Sequence, residues 1–262
     1  MNHFKILAVL LLMTSINKAS SQDFAMAGAT TIPNAALFGV DSYDFLYTVQ
    51  GTVLQKTKDD ISYNFQDYLL GPIASIDLTN PLNIILFYQD TNTVVILDNR
   101  LNEKQRIKFN ELDPYPILQM ALNAGGGRLW LMDMVDQSVW LYDMVNNRIV
   151  AKTPPVKGSL ITAACRFNNC LIQTDQVLIR VDNFGNLAWS APSESYDHIV
   201  YNQDLILGAK GDDLFLLDPM GPKLLAIDRS ENPIKGLQLT QDLLYIYDGV
   251  QLLRYTINPS NN

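Results

Sequence analysis

The sequence has 262 residues, of which 48% are hydrophobic, and its 19 basic and 27 acidic side chains give a formal net charge of −8 at pH 7. The hydrophobic fraction is typical of a globular protein with a buried core. Sustained negative charge repels phosphate backbones and anionic membrane surfaces, so we do not expect nucleic acid as a partner.

Residues 1–21 have the three parts of a secretory signal. Lys5 lies in the basic n-region, residues 6–13 form an apolar run, and the small residues 19–21 precede the predicted cleavage site. An uncleaved membrane anchor is the alternative, but the apolar run is far shorter than the roughly 20 residues of a spanning helix. We therefore predict that residues 22–262 form one exported domain with no membrane span, located outside the cell or in the periplasm and cell envelope.

A repeat of strands follows along the chain at intervals of 36 to 45 residues. In each unit a short apolar strand follows a tight polar turn. The equivalent positions are Val53, Val94, Val139, Val177, Leu214 and Val250. A repeat of this length built only of strands is typical of a β-propeller, in which each unit is one four-stranded blade. We predict an all-β, six-bladed propeller of four-stranded antiparallel blades.

The strands within a unit follow a common order, which the second unit illustrates with predicted strands at 73–78, 83–88, 94–97 and 104–109. The middle strands are apolar and the last is charged, as expected for strands packed between neighbours and for an exposed outer edge. In the first unit the strand at 36–40 is weaker than the others. In the fifth unit we expect the fourth strand at 224–227.

The sixth unit supplies only three predicted strands, at 234–239, 243–247 and 250–256. A ring that lacks one strand exposes unpaired sheet edges. We therefore predict that an N-terminal strand within residues 25–32 completes the last blade.

Two cysteines, Cys165 and Cys170, flank the four-residue turn 166–169 between two strand-like runs. A hairpin loop places such residues opposite each other, at a Cα separation that a disulfide accepts. In an oxidising compartment a disulfide is the favoured state. Two buried or free thiols are the alternative, whereas zinc is disfavoured because the spacing is not CxxC and no second ligand pair exists.

The strand-and-turn repeat resembles that of exported propellers with quinoprotein-like, NHL-like and YVTN-like repeats. The resemblance covers nearly the whole predicted mature chain and is one of pattern only. The Gly-His and Trp-Asp marks of WD40 blades are absent, and Trp130, Trp140 and Trp189 lie on different predicted strands. The resemblance implies a fold and not an activity, because propellers include both binding scaffolds and enzymes.

The sequence contains no strong pattern of catalytic residues. His198 is the sole imidazole after the predicted cleavage, and we expect it to be a structural hydrogen-bonding residue; the alternative is a general base oriented by Asp197 or Glu194. No GxSxG motif supports a serine nucleophile. The glycine cluster at 123–127 joins two strands instead of opening a helix, which indicates a hairpin turn and not a phosphate loop. We predict no catalytic residue, no metal ligand and no cofactor, with calcium considered only under an enzyme alternative.

Acidic residues recur in two classes of loop that share one face of a propeller, the turns between second and third strands and the links between blades. The predicted binding face consists of Asp90, Glu111, Asp113, Asp136, Asp175, Glu194, Asp197, His198, Asp212 and Asp248. Bases are expected among the acids of the opposite face, at Lys56, Lys58, Arg100, Lys104, Arg148 and Lys223. The competing interpretation is that aspartate makes good turns and keeps an exported protein soluble.

These observations favour a non-enzymatic scaffold that holds a protein or glycan partner on the acidic face. One alternative is a lactonase- or lyase-type enzyme with a divalent metal held by carboxylates at the channel mouth, and another is a subunit of a cell-envelope assembly. The side chains that line the central channel would distinguish a scaffold from an enzyme. Convergent Asp, Glu or Asn side chains would favour the enzyme, whereas apolar or aromatic walls would favour the scaffold.

Overall fold

The strands form six antiparallel sheets of four strands each in the computed structural model, which describes residues 23–32, 35–202, 205–218, 221–229 and 232–258. The first strands of neighbouring sheets contact one another all the way around, so the sheets are the blades of a closed ring. The predicted six-bladed propeller is therefore confirmed. The predicted signal, residues 1–21, lies outside the described residues and stays a prediction.

The first three blades are consecutive in sequence. Blade 1 contains β2 (Leu37–Val40), β3 (Leu46–Gln50), β4 (Val53–Lys58) and β5 (Ile61–Gln66). Blade 2 contains β6 (Ser75–Asp77), β7 (Ile84–Tyr88), β8 (Thr93–Leu97) and β9 (Glu103–Lys108), followed by a 3-10 turn at Phe109–Glu111. Blade 3 contains β10 (Leu118–Gly125), β11 (Arg128–Asp133), β12 (Ser138–Asp143) and β13 (Arg148–Lys152).

The remaining blades end with the one that closes the ring. Blade 4 contains β14 (Leu160–Cys165), β15 (Asn169–Thr174), β16 (Val177–Asp182) and β17 (Leu187–Pro192). Blade 5 contains β18 (His198–Asn202), β19 (Leu205–Lys210), β20 (Asp213–Asp218) and β21 (Gly221–Leu224). Blade 6 contains β22 (Gly236–Leu239), β23 (Leu243–Tyr247), β24 (Gln251–Asn258) and, as its outer strand, β1 (Asp23–Thr31).

The ring is closed at both the outer and the inner edge of blade 6. At the outer edge β1 pairs antiparallel with β24, from Asp23 opposite Asn258 to Thr31 opposite Gln251, which confirms the predicted N-terminal strand. At the inner edge the Gln238 side-chain amide donates to the Val40 carbonyl oxygen at 2.5 Å, and its own carbonyl oxygen accepts from the Val40 N–H at 2.7 Å. Blades 1 and 6 are therefore joined by side-chain hydrogen bonds as well as by the chain.

The hydrophobic core lies between adjacent blades. All residues of β7 and β8 are buried, whereas β9 at the edge of the same blade buries one residue of six. The cluster between blades 2 and 3, for example, combines Val94 and Ile96 with Leu129 and Trp140. This gradient is the one that the apolar and charged strands predicted, because only the outer strand of a blade faces solvent.

One strand lies elsewhere than predicted. The outer strand of blade 5 is β21 at Gly221–Leu224 and not the apolar run 224–227. Leu217 of β20 lies opposite Pro222, which an edge strand tolerates because it does not need every N–H. The side chains of Leu225 and Ile227 instead pack against the core between blades 5 and 6. The run was apolar because it contacts the next blade.

Aspartates that end third strands close the following turns. The Asp98 carboxylate accepts hydrogen bonds from the N–H groups of Arg100 and Asn102, both at 2.8 Å, and from the Asn102 amide. Asp182 accepts from the N–H groups of Phe184 and Asn186, both at 2.9 Å, and from the Asn186 amide. Slight burial alone raises the pKa of each carboxyl, but the hydrogen bonds outweigh it and both pKa values are lowered. These residues act as turn residues.

The two turns should make stability pH-dependent. Because the pKa values of Asp98 and Asp182 lie below the ordinary value of 3.8, their contribution is present above that pH and is lost as the pH falls through the folded-state values. The variant Asp98→Asn with Asp182→Asn keeps an acceptor oxygen but does not titrate. We expect it to lose less stability than the wild type between pH 7 and about pH 3, measured by urea unfolding at both pH values. An equal loss in both proteins would contradict the assignment.

Candidate functional site

The loops lie on two opposite faces of the ring, which we call the loop face and the channel face. The loop face contains the turns between second and third strands and the links between blades. The channel face contains the turns between first and second strands and between third and fourth strands. Among the described residues, the loop-face acids are Asp67, Asp90, Glu111, Asp113, Asp136, Asp175, Glu194, Asp197, Asp212, Asp228 and Asp248, and the loop-face bases outside the strands are Lys157, Arg229 and Lys235.

Every acid of the predicted binding face lies in a turn or link of the loop face, and several of them hold the loops together. Asp175 accepts from the Ser159 N–H at 2.9 Å, and Asp197 accepts from the Gly211 N–H at 2.8 Å, so each ties a blade link to a turn. Asp248 accepts from the N–H groups of Val250 and Gln251. For these three acids the turn interpretation describes the observed contacts.

The acids of blades 2 and 3 include two ion pairs. Asp136 pairs with Lys152, and Glu111 pairs with Lys108 at 3.2 Å. The pKa of Asp136, which burial alone would raise, is lowered by hydrogen bonds from Lys152 and Ser138. Surface pairs of this kind contribute little to stability, but they reduce the charge that these two carboxylates offer to a partner.

Four predicted acids are different, because their carboxylates make no hydrogen bond or ion pair with any described residue. These are Asp90, Asp113, Glu194 and Asp212, all of them exposed. Asp90 and Asp113 lie in neighbouring loops of blades 2 and 3, and Glu194 and Asp212 lie in neighbouring loops beside blade 5. The described residues contain no group of three or more His, Cys, Asp or Glu side chains that could hold a metal ion.

His198 begins β18 and lines the channel at a half-buried position. Burial lowers the pKa of the imidazole, while the charge of Asp197 opposes that shift and Lys235 adds to it. The imidazole makes no hydrogen bond to the described part of the chain, so the expected structural hydrogen bond is not observed. Asp197 accepts from Gly211 instead of orienting the histidine.

The central channel contains a cavity of about 700 Å³. The first strand of every blade contributes an apolar wall residue, namely Phe38, Ile76, Leu122, Ala164, Val200 and Leu237. Polar groups lie at the end formed by the channel-face turns, at Asp41, Thr79, Arg166, Asn202, Thr240 and Asp242. The channel mouth with the most polar groups is therefore on the face opposite the predicted acidic surface. Between the apolar wall residues, the first strands also carry the polar lining residues Asp77, Thr162, His198 and Gln238.

Arg166 crosses this mouth and was not identified from the sequence. Its guanidinium donates to the carbonyl oxygens of Tyr201 at 3.2 Å and Leu239 at 2.9 Å, which belong to blades 5 and 6. Its own carbonyl oxygen accepts from the Trp130 indole N–H of blade 3 at 2.9 Å. Arg166 therefore joins four blades.

The turn that carries Arg166 is closed by a disulfide between Cys165 and Cys170, which the sequence analysis predicted. The two residues are directly opposite each other in the pairing of β14 with β15. Nearby, burial raises the pKa of the Asp77 carboxyl, while hydrogen bonds from Thr79 and Asn123 and the charge of Arg166 oppose the shift. The channel mouth is thus held together by the disulfide and by hydrogen bonds between blades, and it contains the Arg166 cation near the buried Asp77 carboxyl.

Replacing Arg166 tests its bridging role. Arg166→Ala leaves two part-buried carbonyl oxygens without their charged donor, so we expect the free energy of unfolding to fall by about 2 kcal/mol. Arg166→Lys keeps the charge but cannot reach both carbonyls, so its loss should be smaller but measurable. The exposed Arg100→Ala variant is the control. Urea unfolding measures all three, and a loss for Arg166→Ala no larger than that of the control would contradict the role.

The described residues contain no helix with the length and apolar character needed to cross a membrane.

No protein-family model matches the sequence, and no curated protein sequence matches it. Solved structures are similar in fold. PorZ, an essential surface component of the type-IX secretion system of Porphyromonas gingivalis, matches with a TM-score of 0.54 and 17% identity over 83% of this chain and 31% of its own. The chain therefore spans about a third of the length of PorZ.

Two other solved structures match this chain over their entire length. BamB from Moraxella catarrhalis matches with a TM-score of 0.52 and 10% identity over 90% of this chain. Virginiamycin B lyase from Staphylococcus aureus matches with a TM-score of 0.62 and 9% identity over 90% of this chain. At these identities the likeness shows a β-propeller fold alone, and the group contains an enzyme as well as a secretion-system component.

Proposed function

We propose that this protein is a non-enzymatic, exported propeller that holds a protein partner on its loop face. The observation that carries the proposal is the set of four exposed, unpaired carboxylates, Asp90, Asp113, Glu194 and Asp212. They lie on two pairs of loops, and hydrogen bonds fix the two loops of each pair to one another. Acids without a cation in the free protein are available to basic groups of a partner, and complementary charge promotes both encounter and selectivity.

The loops of this face are rigid enough for such a role. The Asn92 side-chain amide donates to the Pro116 carbonyl oxygen at 2.7 Å, and its carbonyl oxygen accepts from the Leu118 N–H at 3.1 Å. Asp133 accepts from the Ile117 N–H at 2.8 Å in the same link. Loops held on a fixed ring lose little conformational freedom on binding, which favours affinity.

An oxidising location outside the cytoplasm fits the disulfide, because such bonds persist mainly in exported proteins. PorZ, a surface component of a secretion system, contains a region of similar fold that makes up 31% of its chain. This likeness supports the version of the proposal in which the partner belongs to a cell-envelope assembly. The lyase alternative rests on likeness in fold only.

Affinity purification of the tagged mature protein from the native envelope fraction tests the proposal. The loop-face variant carries Asp90→Asn, Asp113→Asn, Glu194→Gln and Asp212→Asn. The matched control makes the same charge change with exposed acids of the opposite face, by Asp44→Asn, Asp59→Asn, Asp60→Asn and Asp242→Asn. We expect one stoichiometric protein with the wild type and the control, and its loss with the loop-face variant. No stoichiometric partner, or a partner lost only with the control, would overturn the proposal.

A further inference from the structure

One part of the loop face is unusually apolar. Six large apolar side chains there are between 42% and 89% exposed. These are Tyr68, Leu69, Tyr115, Ile117, Met134 and Val135, which we call the apolar arc. Exposed apolar side chains in a cluster, with polar groups at the rim, are typical of sites that bind another protein.

Hydrogen bonds join the loops of the arc into one continuous surface over blades 2 and 3. The Thr91 hydroxyl donates to the Leu70 carbonyl oxygen at 3.2 Å, which links the first loop to the turn of blade 2. Asn92 in that turn holds Pro116 of the next link. The Met134 N–H donates to the Ile117 carbonyl oxygen at 2.8 Å, which adds the turn of blade 3. The six side chains are therefore presented by neighbouring, mutually fixed loops.

The same positions in blades 4 and 5 differ, so the arc does not follow from the repeat itself. In the links before these blades the large apolar residues, Val156 and Tyr196, point inward and are each 3% exposed. The corresponding turns, 175–176 and 211–212, carry only Asp, Gln and Gly. The exposed apolar residues of the arc thus have no counterpart in blades 4 and 5, where the fold is the same.

Some of the acids around the apolar arc have a cationic partner, and two do not. Asp67 pairs with Arg106 at 2.7 Å, and the acids Glu111 and Asp136 have lysine partners. Asp90 lies in the turn that the arc loops enclose, and Asp113 is two residues before Tyr115. Neither Asp90 nor Asp113 has a partner among the described residues. Covering the arc would remove water from two carboxylates, which costs free energy unless a cation replaces it.

We propose that the apolar arc docks a partner segment in which large apolar side chains stand next to Lys or Arg. This inference rests on the proposed function, since it names the chemistry of the partner on the same face. Apolar side chains of the segment cover the arc, and its cations pair with Asp90 and Asp113. A second copy of this chain is disfavoured as the occupant, because its own arc would bring the same unpaired carboxylates and the same net charge of −8 to this surface.

Binding of synthetic peptides tests the inference. The probes are fluorescent 12-residue peptides that combine Lys or Arg with Phe, Trp or Leu, together with matched peptides in which Glu replaces each cation or Ser replaces each apolar residue. Fluorescence anisotropy measures the dissociation constants at low and high salt. The arc variant is Leu69→Ser with Tyr115→Ser, and the charge variant is Asp90→Asn with Asp113→Asn. The control, Val145→Ser with Phe184→Ser, removes equally exposed apolar residues from turns of the channel face.

We expect binding only of peptides that are both basic and apolar. The arc variant should weaken it at least about tenfold, because truncating two central contacts removes more than 1 kcal/mol each. The charge variant should weaken binding at low salt and reduce its salt dependence, and the control should leave it unchanged. All replaced side chains are exposed, so thermal unfolding should stay close to that of the wild type.

Three results would overturn the inference: no binding of any basic, apolar peptide to the wild type, equal weakening by the control, or equal binding of the Glu-containing peptides. The envelope purification separates its failure from that of the proposed function. A stoichiometric partner that is lost with the four-acid loop-face variant but kept by Leu69→Ser with Tyr115→Ser would leave the scaffold standing and exclude the arc. Absence of any partner would remove both.

Discussion

A protein that begins at residue 32, and so lacks β1, is expected not to form the native ring. β1 pairs with β24 along its length, and its removal leaves the outer edge of blade 6 open. Eight residue pairs at about 0.5–1.5 kcal/mol per hydrogen bond represent a loss comparable with the whole stability of a typical domain. Phe24 of β1 also packs against the core between blades 5 and 6. Circular dichroism and urea unfolding of the truncated protein measure the effect.

Adding the missing strand as a peptide separates loss of pairing from a general effect of truncation. A synthetic peptide of residues 22–31 should bind the truncated protein and restore a cooperative unfolding transition. The full-length variant Thr30→Ala, which keeps the backbone pairing of an exposed residue, is the control and should unfold like the wild type. A truncated protein with the wild-type unfolding midpoint would show that the ring does not need this strand.

Lys56→Met is expected to lower the free energy of unfolding by about 3–5 kcal/mol, the usual result of leaving a buried charge without its partner. The side chains of Lys56 and Asp41 are 3% and 0% exposed, and the Lys56 ammonium lies 3.5 Å from the Asp41 carboxylate. The ammonium also donates to the Asn99 carbonyl oxygen of blade 2 at 2.8 Å. Asp41 in turn accepts from the Tyr47 hydroxyl at 2.8 Å.

A double-mutant cycle tests the pairing directly. Asp41→Asn keeps an acceptor for the turn but removes the charge, so the combined variant should lose less stability than the sum of the two single variants. Lys58→Met, two residues along the same strand, removes a lysine whose hydrogen bond to the Tyr43 carbonyl oxygen is exposed, and it should cost less than about 1 kcal/mol. Equal effects of Lys56→Met and Lys58→Met in urea unfolding would contradict the buried pair.

Lys56 also shows where sequence reasoning reached its limit. The sequence analysis placed it, together with Lys58, among the bases of the opposite face, and the structure places both lysines on β4, separated by one residue. That spacing puts both side chains on the same side of a strand, but only one of them lies under the Asp41 turn and against blade 2. A contact with Asn99, 43 residues away, decides its burial. Local pattern does not contain that information.

The fold was predictable because its determinants are local: the apolar strands, the polar turns and the length of the repeat can all be recognised within single units. The count of strands in unit six then showed that one strand was missing, and this strand had to come from elsewhere in the chain. The position of the predicted acids in turns and blade links follows from the same local pattern. Their division into turn residues such as Asp175 and unpaired residues such as Asp90 depends on neighbouring loops, so it needed the structure.

Arg166 and the apolar arc could not be identified from sequence for a related reason. Arg166 reaches Leu239 across 73 residues of chain. In the arc, Tyr115 resembles Tyr196 in sequence, since both lie in blade links, yet one is exposed and the other buried. A signal for Arg166 was present in its position within the cysteine hairpin. Whether an apolar link residue points outward depends on the packing of the following blade.

The central claim, that the loop face holds a protein partner, is tested most directly by photo-crosslinking in the native envelope. A photoreactive amino acid replaces Gln89 or Gln176 on the loop face, or Asn99 or Phe184 in turns of the channel face. We predict a crosslinked product with one partner protein from the two loop-face positions and none from the other two. Crosslinks to a partner from Asn99 or Phe184 alone, or from none of the four positions, would contradict the account.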